Sequence, residues 1–290
     1  MIFLTAQSRS GLSRSAGLGL LVLVMACPGA GGGSEDDILR SRRELELAAA
    51  LQQENNIPGA IGHLRTALEL DEDNAEAHLL LAVIQHTSRN NGALAETHAR
   101  EGVRLLEEAE RHGSTLAEAR NILGTILVAR GKYDEAFEEL RRSAMDDMNT
   151  SPHLAWGNLG LAYLDAGRPR DAIEPLTEAV RSQPRFCVGY HRLGRAYWET
   201  DQIEQAEAAL VHALEADDTC MDNPLLQNAW RLRGEARAQL GRRDEALSDL
   251  ERCVALGSQT EDGRACQRLL DASDRRDAPE GSDEDSGDVD

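Results

Sequence analysis

The sequence predicts an all-α fold: a tandem, right-handed superhelical solenoid of about six helix pairs closed by a capping helix. Aromatic residues make up only 3% of the 290-residue chain and hydrophobic residues 41%, which suits short helices that pack on small side chains. Small and apolar residues also recur at one fixed spacing. The clearest copy of this pattern runs Trp156-x2-Leu159-Gly160-x2-Tyr163-x8-Ala172-x3-Leu176-x2-Ala179-x4-Pro184.

The spacing has a physical cause in the packing of two helices. Gly160 lets the first helix of the unit approach the second helix where Ala172 lies. Leu159, Tyr163 and Leu176 then fill the seam between the two helices. The pattern matches the tetratricopeptide-repeat signature at every diagnostic position, except that Leu176 stands where Phe is usual. The chain therefore resembles a repeat protein in which helix pairs stack side by side.

The same pattern identifies the other repeats in order along the chain. A small residue at the eighth position of the signature marks each of them, at Ala48, Ala82, Gly124, Gly194 and Gly234. Repeat two carries about one additional residue before its second helix, and repeat six an insertion of about six residues near 220–227. The polar segment 260–273 is predicted to be the capping helix, because the last pair otherwise leaves an apolar face uncovered.

The N-terminus has the layout of an export signal. Arg9 and Arg14 precede an apolar run over 16–26, which is shorter than the roughly 20 residues that a membrane-spanning helix needs. The residues before Cys27 resemble a bacterial lipobox. We therefore expect residues 1–26 to be a lipoprotein signal peptide and Cys27 to be the lipidated first residue of the mature protein. The alternative is an ordinary signal peptide with an incidental Cys.

Residues after the signal predict the location and the domain bounds. Pro28 follows Cys27 where lipoproteins retained in the inner membrane carry Asp, so we expect a lipid anchor in the outer membrane that faces the periplasm. The Gly-rich segment 27–37 is predicted to be a flexible tether. Residues 38–273 form the predicted repeat domain, and the acidic segment 274–290 is predicted to be a disordered tail.

Charge and missing motifs exclude several classes of function. The formal net charge is −20, and nucleic-acid binding needs clustered Lys and Arg, so no nucleic-acid partner is expected. The sequence contains no H-E-x-x-H motif, no G-x-S-x-G motif and no phosphate-binding glycine loop. It therefore predicts no catalytic residues, no metal, no cofactor and no small-molecule substrate. The expected partner is another protein.

Four further cysteines lie in the last third of the sequence: Cys187, Cys220, Cys253 and Cys266. In an oxidising periplasm an even number allows two disulfides, and four cysteines allow three pairings. We expect Cys187 to pair with Cys220, one repeat apart, and Cys253 to pair with Cys266 of the capping helix. The alternative is that they are reduced core residues. Zinc is not favoured, because no C-x2-C pair occurs.

The first helices of such repeats line a concave groove, and positions 2, 5, 9 and 12 of each repeat point into it. The N-terminal half of this groove is apolar, which suits an amphipathic segment of a partner. In the C-terminal half, Arg195 and Arg231 are candidates to receive a carboxylate. Packing within or between repeats is the alternative for any single residue. The predicted groove residues are Leu79, Val83, Asn121, Thr125, Val128, Leu154, Leu161, Leu164, His191, Arg195, Trp198 and Arg231.

Several features occur together in this protein: the lipobox, the six repeats, Phe186-Cys187 at the start of repeat five, the later cysteines and the stretch Ser151–Gly160. Up to about Leu270 the sequence resembles the type IV pilus secretin pilotins, particularly the Tgl type. The resemblance implies an outer-membrane lipoprotein that helps secretin subunits assemble into the pilus exit channel. The groove would then hold an apolar element of a secretin subunit. The competing interpretation is a general periplasmic scaffold lipoprotein that recruits peptidoglycan enzymes.

Overall fold

The computed structural model describes residues 34–109, 114–217 and 219–277. These residues form thirteen α-helices and one short 3-10 helix, Pro224–Leu226, and they contain no β-strand. The α-helices are α1 (Glu35–Gln53), α2 (Ile57–Leu70), α3 (Ala75–Thr87), α4 (Gly92–Glu108), α5 (Ser114–Ala129), α6 (Tyr133–Ala144), α7 (Pro152–Asp165), α8 (Pro169–Ser182), α9 (Cys187–Glu199), α10 (Ile203–Glu215), α11 (Gln227–Gln239), α12 (Arg243–Leu256) and α13 (Glu261–Asp277).

Consecutive helices pack as six pairs, from α1 with α2 to α11 with α12, and α13 packs on α12. The first helix of a pair also contacts the first helix of the next pair, as α5 contacts α7 and α7 contacts α9. The first helices therefore form one continuous layer, and the second helices lie outside it. This arrangement confirms the predicted all-α solenoid of six helix pairs and a capping helix.

A glycine on the first helix of a pair faces a leucine on the second helix. A Cβ atom on Gly160 would lie 2.3 Å from Cγ of Leu176. A Cβ atom on Gly194 would lie 2.6 Å from Cγ of Leu210. Both leucines are fully buried, so neither can turn away into solvent. The glycine of the signature therefore sets how closely the two helices approach, because a protein core tolerates no overlap of this size.

The ends of the repeat domain differ from the predicted bounds by a few residues. Ser34 caps α1, and its hydroxyl oxygen accepts a hydrogen bond from the backbone N–H of Asp37 at 3.2 Å. The last three residues of the predicted tether therefore belong to α1. Their carboxylates lie in the first turn, where they interact favourably with the positive end of the helix dipole. At the other end, α13 continues past residue 273 to Asp277.

Several predicted features lie outside the described residues. These are the signal peptide over 1–26, the lipidation site Cys27, most of the tether, and residues 278–290 of the acidic tail. Their export and lipidation stay predictions from the sequence. Among the helices that the structure describes, none is long and apolar enough to cross a membrane.

Two disulfides fasten the C-terminal repeats. Cys187, at the start of α9, is bonded to Cys220 in the segment between α10 and α11, with a Cα–Cα distance of 6.1 Å. Cys253 of α12 is bonded to Cys266 of α13, with a Cα–Cα distance of 6.3 Å. These are the two pairs expected from the sequence. A bond that closes so short a loop contributes about 3 kcal/mol in the chain-entropy account, and it holds α13 on the last pair.

Four histidines lie among packed helices: His78, His98, His153 and His191. The Nδ1 atoms of His78 and His98 are 3.0 Å apart, which joins α3 to α4. The ring of His153 packs edge-on against Phe186, with 5.2 Å between the ring centroids. Burial lowers the pKa of all four imidazoles below their ordinary value of 6.5. A proton is therefore less favourable on these side chains in the folded protein than in the unfolded protein.

The glycine contact predicts the effect of Gly160→Ala. The added methyl group meets Leu176, so the free energy of unfolding should fall by about 1 to 3 kcal/mol, although Ala favours helix more than Gly does. Gly62→Ala in α2 is the matched control, because a Cβ atom there has no neighbour within 4 Å. It should raise the stability by roughly 0.5 to 1 kcal/mol. Urea unfolding followed by circular dichroism measures both values, and equal effects at the two sites would contradict the packing account.

The histidines predict a stability that depends on pH. Each of these four imidazoles binds a proton more readily in the unfolded protein than in the folded protein, so their contribution to the free energy of unfolding should fall as the pH is lowered from about 7.5 to about 5.5. His153→Leu removes one of these groups and should make the slope shallower. Urea unfolding at several pH values measures the slope. A steeper or unchanged slope in the variant would show that His153 does not contribute.

Candidate partner-binding groove

Most of the predicted groove residues lie on the layer of first helices with part of their side chains exposed. Leu154, at the start of α7, is the most exposed of them at 42%. The others in this group are partly buried. The ten residues with an accessible surface are Val83, Asn121, Thr125, Val128, Leu154, Leu161, His191, Arg195, Trp198 and Arg231. They lie on five first helices, α3, α5, α7, α9 and α11.

Two predicted groove residues are buried in the core instead. Leu79 is only 7% exposed, and its side chain occupies the space where Gly102 of α4 has no Cβ atom. In this repeat the glycine lies on the second helix, so the leucine of the first helix turns inward to fill the gap. Leu164 is 3% exposed within the central core. The apolar lining is therefore narrower than the sequence predicted.

A ladder of polar side chains crosses the middle of the groove. The amide N–H of the Asn158 side group donates to Oδ1 of Asn121 at 3.0 Å, and Oγ1 of Thr125 lies 3.5 Å from the same nitrogen. The Arg192 guanidinium donates through Nη1 to Oδ1 of Asn158 at 3.2 Å. This ladder links α5, α7 and α9, the first helices of three successive repeats. It fixes the Asn158 amide with its oxygen towards Arg192.

Asn158 and Arg192 were not among the predicted groove residues. They occupy the sixth position of the signature in repeats four and five, 34 residues apart, whereas only positions 2, 5, 9 and 12 were expected to face the groove. The equal spacing was the available signal. In a solenoid, residues one repeat apart come to lie side by side on neighbouring first helices, so two long polar side chains at this spacing can meet.

The electrostatic environment of Arg192 is unusual for this protein. Burial lowers the pKa of its guanidinium to about 10, and the negative charge of Asp165 opposes this effect only in part. Across the described ranges, no carboxylate lies within 4.0 Å of the guanidinium. Arg192 as a whole residue is only partly buried, but its guanidinium lies deep among the first helices.

The two arginines expected to receive a partner carboxylate are already paired. Arg195 Nε lies 2.7 Å from Oε1 of Glu199, one helical turn along α9. Arg231 Nε lies 2.8 Å from Oδ1 of Asp262 in the capping helix, and its Nη1 lies 2.5 Å from Glu235. Both cations therefore already have carboxylate partners within the protein, and their role in receiving a partner's carboxylate stays a prediction. Asp262 of the capping helix pairs with Arg231. The other carboxylates, Glu199 and Glu235, lie one turn along the same helix as the arginine they pair with.

The capping helix also forms a hydrogen bond with a polar side chain at the C-terminal end of the groove. Asn228 donates to Oδ1 of Asp262 at 2.8 Å, and its own amide oxygen lies 3.0 Å from Nε2 of His191. Consequently His191 and Arg231 belong to one hydrogen-bonded network centred on Asp262. The groove therefore divides into an apolar N-terminal part, a polar middle around Arg192, and a C-terminal end whose polar groups satisfy one another.

Two other concave regions lie near the N-terminal end of the described helices. Two clefts of about 520 Å³ and about 360 Å³ lie between α2, α3 and α4, and Arg65, Gln85 and Leu94 line both of them. No group of three or more His, Cys, Asp or Glu side chains is arranged to hold a metal ion anywhere in the described part of the protein.

Comparison with known families gives the class of the repeats. A family model described as TPR repeat matches residues 49–88. A second, described as tetratricopeptide repeat, matches residues 91–149 and 191–261. Together the matched ranges cover more than half of the sequence and fall within the helical part that the structure describes.

Two characterised proteins are similar in sequence. The type IV pilus assembly protein PilF of Pseudomonas aeruginosa is 28% identical over 147 residues, which are 50% of this chain and 55% of that protein. Heat shock protein STI1 of Saccharomyces cerevisiae is 32% identical over 85 residues, which are 29% of this chain and 14% of that protein. The matches thus span about half of the first relative and a small part of the second.

Solved structures of two pilus proteins share the fold. The Pseudomonas aeruginosa pilF structure superimposes with a TM-score of 0.66 at 21% identity, and it covers 81% of this chain and 100% of its own. PilW, a widely conserved type IV pilus biogenesis factor, gives a TM-score of 0.66 at 19% identity and covers 78% of this chain and 98% of its own. At such identities these likenesses show the fold alone. With the matched repeats, the six helix pairs and the glycine seams taken together, the chain belongs to the tetratricopeptide-repeat family.

Proposed function

We propose that this protein is a non-catalytic assembly factor, a pilotin, for a type IV pilus secretin. The observation that carries the proposal is that Val83, Val128, Leu154 and Leu161, called the apolar strip below, keep accessible apolar surface on three successive first helices, α3, α5 and α7. This strip holds an exposed apolar element of a secretin subunit until oligomerisation buries that element. The protein then acts by binding alone and takes no part in a chemical step.

The affinity for such a segment depends on the apolar area that the segment buries. An amphipathic helix or strand presents a few large apolar side chains on one face, and each contributes roughly 1.5 to 3 kcal/mol when it is fully buried. Three or four anchors on the strip are enough for a reversible complex after the cost of ordering the segment is subtracted. Reversibility matters, because an assembly factor has to release its subunit to the growing ring.

Sequence similarity supports the pilus context. The relative named a type IV pilus assembly protein matches half of this chain, and the two pilus proteins of known structure share its fold over more than three quarters of its length. The predicted lipid on Cys27 supports an outer-membrane location facing the periplasm, which is where a secretin assembles. The combined lipobox, repeats and cysteine placement favour the Tgl type of pilotin.

The proposal is tested by deleting the gene and examining unboiled outer membranes on a gel probed for the secretin. We expect the heat-resistant multimer to disappear while the monomer remains. Unchanged multimers would contradict the proposal and would favour the general scaffold that recruits peptidoglycan enzymes. Affinity purification of the tagged protein then identifies which of those partners it carries.

A point variant tests the groove itself. Leu161→Asp places a charge in the apolar strip, and we expect loss of secretin capture together with loss of the multimer, because burying an unpaired carboxylate against apolar groups is unfavourable. Leu94→Asp on α4 is the control, since Leu94 is 37% exposed and lies on a second helix. Circular dichroism has to show both variants folded. Normal capture by folded Leu161→Asp would refute the strip as the binding surface.

A further inference from the structure

Two histidines of repeat two face each other where α3 packs on α4. Nδ1 of His78 lies 3.0 Å from Nδ1 of His98, and the ring centroids are 5.2 Å apart. The two residues are 20 positions apart in the sequence, so no local motif marks them, and they meet only through the packing of the two helices. Both side chains are partly buried, and His98 also lines the smaller of the two clefts beside these helices. A small solute can therefore reach the pair.

The hydrogen bonds of His78 fix the position of the hydrogen on its ring. Nε2 of His78 lies 3.2 Å from the backbone carbonyl oxygen of Glu72, which can only accept a hydrogen bond. Nε2 therefore carries the hydrogen, and Nδ1 of the neutral ring presents a lone pair towards His98. Metal-binding histidines commonly donate their second N–H to a backbone carbonyl, which orients the ring and makes the other nitrogen a better ligand. His78 has this arrangement.

The surroundings favour neutral rings and a nearby cation. Burial lowers the pKa of both imidazoles below their ordinary value of 6.5, and a proton on His78 lowers the pKa of His98 further. Both rings are therefore largely neutral at pH 7, and neutral imidazole is the form that binds a metal. Of the charged groups near His78, Glu101 and Asp73 are negative and Arg104 is positive. This excess of negative charge favours a bound cation.

The distance between the two nitrogens matches a metal whose neighbouring ligands lie at right angles. Imidazole nitrogens bind such metals at about 2.0 to 2.1 Å, so two neighbouring ligands lie about 2.8 to 3.0 Å apart on a square-planar ion and about 3.3 to 3.4 Å apart on a tetrahedral ion. The observed 3.0 Å agrees with the square-planar value. Among the divalent metals that adopt this geometry with nitrogen and oxygen ligands, Cu²⁺ binds most tightly.

We propose that His78 and His98 bind one Cu²⁺ through their Nδ1 atoms, so that the ion joins α3 to α4. On binding, the hydrogen of His98 moves from Nδ1 to Nε2 by exchange with solvent, and a modest rotation of each ring directs both lone pairs to one point. Both rings stay neutral. In the described part of the protein no third His, Cys, Asp or Glu completes such a group, so water occupies the other positions around the ion. The site goes beyond the proposed function and does not depend on it.

The purified full-length protein in detergent, without a polyhistidine tag, tests the site. Cu²⁺ is added in a buffer that does not bind metals. We expect one equivalent to give a square-planar electron paramagnetic resonance spectrum with coupling to two imidazole nitrogens. Free Cu²⁺ at about a hundred times the dissociation constant should raise Tm by about 5 to 10 °C. A spectrum without nitrogen coupling would overturn the proposal, and a larger rise in Tm with Zn²⁺ at the same free concentration would contradict the square-planar assignment.

Three variants assign the response to the pair. His98→Asn keeps an N–H donor for Nδ1 of His78, and His78→Gln keeps one for the Glu72 carbonyl, but an amide is a poor ligand for Cu²⁺. Both variants should lose the nitrogen coupling and the rise in Tm. His86→Asn is the matched control, because His86 is also partly buried on α3, and it should keep both. A full response in His98→Asn that circular dichroism shows to be folded would assign the metal to other ligands and overturn the proposal.

Oxidation mapping tests the same site without any variant. The protein with one equivalent of Cu²⁺ is treated with ascorbate in air, which oxidises histidines that bind the copper to 2-oxohistidine, and mass spectrometry locates the products. We expect oxidation at His78 and His98 and none at His86. Oxidation confined to other histidines would contradict the proposal.

Discussion

The close contact between a glycine on one helix and a leucine on the next is the constraint on which the rest of the structure depends. At Gly160 and Leu176 there is no space even for a methyl group, so the spacing of the pair is fixed. Repetition of the same contact at Gly194 and Leu210 gives successive pairs the same geometry. The first helices are therefore brought into a continuous layer, and the groove is a consequence of that layer.

Because repeats stack in register, residues about one repeat apart become neighbours, so the side chains that line the groove are arranged repeat by repeat. The ladder from Asn121 through Asn158 to Arg192 exists only because three helices are held in this order. At the C-terminal end a separate network forms, in which Asp262 of the capping helix pairs with Arg231 and accepts a hydrogen bond from Asn228. The groove thus combines apolar side chains with a ladder of polar side chains on the same layer of first helices.

The fold was predictable because every repeat shows the same sequence pattern. A small residue occurs six times at the same signature position, which indicates six helix pairs. The spacing of one repeat predicted the Cys187–Cys220 pair, and the place of Cys266 in the capping helix predicted its pairing with Cys253. The lining of the groove was less predictable. Leu79 turns inward because the glycine of its repeat lies on the second helix at Gly102, which is a feature of the partner helix and not of the local pattern. Likewise Arg231 is neutralised by Asp262, a contact between two helices that the repeat spacing does not describe.

The central claim is that the layer of first helices is the surface that contacts the secretin. The most direct test incorporates the photo-crosslinking residue p-benzoylphenylalanine at Leu161, in the apolar strip, and separately at Leu94, on the outer helix α4, in cells that assemble pili. We predict a crosslinked product with the secretin from position 161 and none from position 94. Crosslinking to the secretin from position 94 alone would contradict the account.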